Sequence, residues 1–167
     1  MSIKPITNQS RQSVISFFKE HWGSAKMIIS SGTFDCAQLE GYMFEEDEII
    51  LGLLTYVVHE DALEVISLDS IREGQGIGTQ LMHEAELLAK EKGLTKVTLI
   101  TTNDNLAALK FYQKRGYRIV EVIPDAVAEA RKVKPTIPLI GNDDIPLHDE
   151  LLLEKHLTEF HVGVRQI

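Results

Sequence analysis

Cysteine, basic charge and long apolar runs are all scarce in this chain. One cysteine, Cys36, occurs in 167 residues. It cannot form an internal disulfide, which fits a reducing cytosol and excludes a disulfide-stapled scaffold. Lysine and arginine number 17 against 25 aspartates and glutamates, a formal net charge of -8. A nucleic-acid binder normally carries a basic face, so that class is set aside. The acidic surplus aids solubility and weakly favours cationic small-molecule partners. No stretch is apolar enough to span a bilayer, and the opening MSIKPITNQSRQ lacks the apolar run of a signal peptide. No Gly-Lys pair followed by Ser or Thr occurs, which removes the Walker phosphate loop. His83-Glu84 lacks the second histidine of a zinc helix, and no His/Cys group has ligand spacing, so no metal is expected. Proline is sparse and uneven: four of the five lie between Pro124 and His148.

What is present is the makeup of a globular protein, 44% hydrophobic and 25% charged. The length suits one domain over 1–167 with a core of its own. Strand and helix signals alternate. IKPIT reads as a strand. Val14, Phe17, Phe18 and Trp22 recur at helical spacing and Gly23 stops them. Three strands follow in GYMFEEDEIILGLLTYVVHEDALEVISLD, with EED and HED as turns and buried runs at Ile49–Leu54 and Leu63–Leu68. From Ile77 the period becomes helical through Ile77, Leu81, Ala85, Leu88 and Ala89, and Gly93 ends it. TKVTLITT is a strand. Asn105 caps a helix through Arg115, and Gly116 closes it. YRIVEVI is a strand and Asp125 to Lys132 a short helix. An irregular segment rich in Pro, Gly and Asp leads to DELLLEKHL, a final strand or a helix.

The stretch REGQGIGTQL is the unusual one. It places glycine at 74, 76 and 78 just where a helix begins. Glycine there costs backbone entropy. It is either a tight strand-to-helix turn or a row of bare N–H groups at a helix N-terminus, facing an anion. A dinucleotide fingerprint fails in both registers, because its third glycine falls on Thr79 or Leu81.

Together, LDSIREGQGIGTQLM and NDNLAALKFYQKRGY resemble the two core motifs of the GNAT superfamily of acyl-CoA-dependent N-acetyltransferases. The second motif falls on Asn105, Ala108, Phe111–Tyr112 and Lys114–Tyr117. The resemblance implies an α/β (α+β) fold with a mixed, mostly antiparallel central sheet flanked by helices. Two central strands would splay after Leu68 to admit acetyl-CoA. The pyrophosphate would lie on Gly74, Gln75, Gly76, Ile77, Gly78 and Thr79. Asn105 would bond the pantetheine arm, Ala108 and Phe111 would also contact the cofactor, and a backbone N–H near Leu68 or Asp69 would face the thioester carbonyl. Glu73 departs from the pattern, standing where the family has Arg or Gln. A carboxylate there repels a phosphate, so Glu73 is no ligand, and Arg72 offsets part of its charge.

The implied reaction is direct attack by an acceptor amine in a ternary complex. Tyr112 stands where the family places the general acid that protonates the leaving thiolate. In isolation, an aromatic beside Phe111 reads as core. The base is left open among Glu64, Asp69, His59 and water. Cys36 has no neighbouring histidine in sequence and is no nucleophile. Segment 124–148 resembles the tail of a bacterial subgroup and shapes either the acceptor side or a contact between two copies. The other reading of the same fold is an acyl-CoA sensor without chemistry, for which Tyr112 has no use.

Overall fold

The computed structural model describes residues 2–157. Strand β1 (Ser2–Pro5) leads into helix α1 (Arg11–Trp22), ended by Gly23. A short hairpin, β2 (Lys26–Ile29) and β3 (Gly32–Asp35), turns at Ser30–Ser31. Then come β4 (Glu40–Glu46), β5 (Ile49–Val58) and β6 (Ala62–Ser70). Helix α2 (Ile77–Glu91) crosses to β7 (Lys96–Thr102), and α3 (Leu106–Lys114) to β8 (Arg118–Ile123). Helix α4 (Ala126–Val133) opens the proline-rich segment, and β9 (Glu150–His156) closes the described chain as a strand.

Seven strands form one sheet in the order β1-β4-β5-β6-β7-β9-β8. Only β6 and β7 pair in parallel; the other neighbours are antiparallel. This is the expected mixed sheet. Both faces are covered. Leu54, Leu63, Val65, Val97 and Leu99 face α2 on one side, with Ile77, Leu81 and Ala85. Leu53, Met43 and Ile66 face α1 on the other, with Val14, Phe17 and Phe18. Burial on both faces explains why the central strands read as continuous apolar runs. Ile49, by contrast, is 59% exposed, and Trp22 is 63% exposed although it sits at core spacing in α1.

The sheet splits at its centre. The β6–β7 ladder runs from Ala62↔Lys96 to Val65↔Leu99 and stops, although both strands continue. The split thus opens three residues before Leu68. Its cause lies on the other side of β6. Thr55 pairs with Ser67 and Tyr56 with Val65, so Ile66 is an extra residue. A bulge of this kind bends the strand that carries it.

Candidate active site

The glycine stretch forms the turn between β6 and α2. Gly74 and Gly76 have φ of +75° and +73°, the left-handed region, and a Cβ on either would meet nothing within 4 Å. Both are there for conformation, and the space beside them is open. Gly78 differs: a Cβ there would lie 3.1 Å from the Phe111 ring, so it serves close helix packing. The first intrahelical bond at this end runs from Gln80 N to Gly76 O. The N–H groups of Ile77, Gly78 and Thr79 therefore have no intrahelical acceptor, and with the helix dipole they are free to donate to an anion. Gln75 is exposed and lines neither cavity described below.

A groove of about 420 Å³ runs over this turn, between Gly74–Thr79 and the face of α3 that carries Ala108 and Phe111. Sequence reading missed Arg115 here. Its Nε donates to Thr79 Oγ1 at 2.7 Å, and its guanidinium lies 3.7 Å from the Phe111 ring centroid. Such a stacked, fixed cation suits a phosphate. The only hint was the basic pair Lys114-Arg115 inside the second motif. Arg72 is committed to Glu46 at 2.7 Å, so Arg115 is the better counter-charge to the exposed Glu73.

A second cavity of about 450 Å³ lies on the α1 and hairpin side of the split. Leu68, Ala108 and Tyr112 line both cavities and mark where they meet. Tyr112 is 9% exposed and stands edge-on to Phe111 and Tyr117. Its hydroxyl takes part in none of the hydrogen bonds found among the described residues, and a buried hydroxyl normally has a partner. Burial, and then the charge of Asp69, pushes the Tyr112 phenol well above its ordinary value. It therefore stays protonated at neutral pH.

Asp69 lines the second cavity beside this junction. Burial pushes its carboxyl up to about 6, while a hydrogen bond from the Trp22 side chain and the nearby His21 pull it down. The backbone of β6 separates the two residues named for the carbonyl. Ile71 N donates to Leu51 O, and Asp69 is in register with Leu53. Antiparallel alternation then points the backbone groups of Asp69 at β5 and the N–H of Leu68 into the split.

Asn105 caps α3, accepting from Ala108 N at 3.2 Å, and lines the second cavity. His59 and Glu64 pair with each other at 2.8 Å, Ser31 Oγ donates to Glu64 at 2.7 Å, and neither residue lines the cavity. Burial raises the Cys36 thiol, which disfavours a thiolate.

The segment from Pro124 to His148 is ordered by its own bonds. Arg131 donates to the carbonyls of Ile137, Pro138 and Leu147. Asp104, 4% exposed, accepts from Asn142 N at 2.8 Å, and Asn103 Oδ1 accepts from the N–H groups of His148 and Asp149. The segment supplies Val127, Ala130, Lys134, Ile137 and Leu147 to the wall of the second cavity.

An anion seat on one side of a split sheet and a walled cavity on the other define a site where two ligands can meet. Residues 8–117 match the acetyltransferase (GNAT) family. The chain belongs to that family. It is 51% identical over 158 residues to the uncharacterised protein YxbD of Bacillus subtilis strain 168, covering 94% of this chain and 99% of that one. It is 43% identical over 156 residues to the uncharacterised YdhI of the same organism, covering 93% and 98%. Among solved structures, a GNAT family acetyltransferase from Elizabethkingia anophelis with acetyl-CoA bound superposes with a TM-score of 0.69 at 20% identity, covering 93% of this chain and 97% of that one.

Proposed function

We propose that the protein is an acetyl-CoA-dependent N-acetyltransferase that acts on an amine by direct attack. The observation that carries this reading is the shared wall. Leu68, Ala108 and Tyr112 line both the anion groove and the second cavity, so a donor in one and an acceptor in the other would touch there. Phosphates of acetyl-CoA fit the N–H groups of Ile77, Gly78 and Thr79, the open space at Gly74 and Gly76, and the Arg115 guanidinium. The thioester supplies the activated acetyl group.

The roles of this chain's residues follow from their chemistry. Asp69 accepts the proton that the amine nitrogen gives up as its bond to the carbonyl carbon forms. Leu68 N–H donates to the carbonyl oxygen as charge builds on it. Tyr112 O–H gives its proton to the departing sulfur. With Asp69 then protonated and Tyr112 ionised, proton return between them restores the resting state, and the 124–148 wall shapes the acceptor side.

The test is a screen of amines, amino acids and peptides with acetyl-CoA, following free thiol release. It runs beside a thermal shift with CoA, where ligand at 100 times its Kd stabilises by about 2.7 kcal/mol. Turnover with an amine is expected. A CoA shift with no turnover on any amine would leave the sensor reading, and no CoA shift would remove both.

A further inference from the structure

Glu150 is the other carboxyl on the wall of the second cavity, and the proposed reaction does not use it. It is 1% exposed, yet it lines that cavity. It sits at the start of β9, opposite Thr102 of β7. Its Oε1 accepts from Ser30 N at 3.0 Å. None of the hydrogen bonds found among the described residues reaches its Oε2. A carboxyl taken out of water with one oxygen unpartnered is unfavourable, so a donor from a ligand would relieve it.

The cavity then holds two carboxylates on different strands. Asp69 stands at the junction with Tyr112, and Glu150 stands across the split, with apolar side chains such as Met27, Ile66 and Ile100 also on the wall. From β6 to β9 is two strand spacings, ~10 Å, before the widening of the split is added. The positive side chains on the wall are Lys26, which is exposed, and Lys134, whose Nζ donates to Lys26 O at 2.9 Å where α4 meets the hairpin. The whole chain carries a net charge of -8, which draws cations.

We propose that the acceptor is a short α,ω-diamine or polyamine whose reacting amine lies at Asp69 and whose distal ammonium is held by Glu150. This rests on the acetyltransferase reading and names its substrate class. An apolar carbon chain between the reacting neutral amine and a distal ammonium matches apolar walls between two acids. An amino acid would instead bring a carboxylate to Glu150.

Three four-carbon probes separate the cases: 1,4-diaminobutane, 1-aminobutane and 4-aminobutanoate, which differ only in the distal group. Kinetics by thiol release and calorimetry on the CoA-loaded protein are run for each. The expected result is a kcat/KM for the diamine at least tenfold above that of 1-aminobutane, arising in KM. Glu150→Gln keeps an oxygen for Ser30 N–H, so the hairpin keeps its bond, and the ratio should collapse toward one. Equal use of diamine and monoamine, or preference for 4-aminobutanoate, would overturn the proposal while leaving the acetyltransferase reading intact. Tight diamine binding lost in Glu150→Gln, without turnover of any probe, would uphold the Glu150 site and overturn the transferase reading instead.

Discussion

Replacing Asp69 by Asn should make the protein more stable and nearly inactive. The carboxyl titrates at about 6 instead of 3.8 because burial disfavours its charge. A move of that size corresponds to roughly 3 kcal/mol. The sign is fixed by linkage. A folded value above the unfolded one means a contribution to stability that is fully present below about pH 4 and lost as pH rises through about 6. At pH 8 the wild type therefore carries a buried charge that Asn lacks. Asn also bonds the Trp22 side chain more weakly than a carboxylate does, so a gain of about 1–3 kcal/mol is expected. At about 3 °C per kcal/mol for this size, Tm should rise by about 3–9 °C. The two proteins are melted side by side from pH 4 to pH 8, and the gap should be absent at pH 4, open as pH rises toward about 6, and stay level above it. In the same series, wild-type kcat/KM should rise with pH through about 6, and the variant should lose about 10²–10⁴-fold together with that limb. A variant less stable than wild type at pH 8, with the kinetic limb preserved, would refute the reasoning.

Tyr112→Phe removes one oxygen and keeps the ring packing, so kcat should fall by about 10²–10⁴-fold with acetyl-CoA affinity unchanged. A loss below about threefold would mean that water protonates the thiolate. Gly76→Asp strains a φ of +73° and sets a negative charge in the open cradle; the thermal shift with CoA should vanish, and a full shift in a folded variant would place the site elsewhere. Asp104→Ala frees Asn142 N–H and the Thr102 hydroxyl, costing about 1–3 kcal/mol. It should raise the acceptor KM several-fold while CoA affinity by calorimetry stays constant, and an unchanged KM would make the 124–148 segment a passive connection.

Most of the architecture was legible because it depends on local chemistry. The period changes at Ile77, and Gly23, Gly93 and the Asn105 cap punctuate the helices as their backbone preferences dictate. The glycines at 74 and 76 marked the turn, but spacing alone left it open between a tight turn and an anion cradle. What could not be read depends on where strands go in space. The hairpin at 26–35 lies in a stretch with weak alternation, and the acids that hold its turn, Glu64 and Glu150, are distant in sequence. The split opens at Val65 because of a bulge set by β5 pairing, which β6 alone does not encode. His59, Glu64 and Asp69 looked alike as bases. Only the fold turns two of them toward each other and leaves Asp69 on the cavity wall. Glu150 was indistinguishable from a solvated acid at the head of a strand.

The Ser30–Ser31 turn has a mechanical consequence for the split sheet. Ser31 is gripped by Glu64 of β6 and Ser30 by Glu150 of β9, the strand bonded to β7. Neighbouring residues of one tight turn thus reach the two halves that the missing ladder bonds would have joined. The hairpin is a tie-bar across the slot. Spreading the halves would break one grip or the other, so the slot has a width set before any ligand arrives.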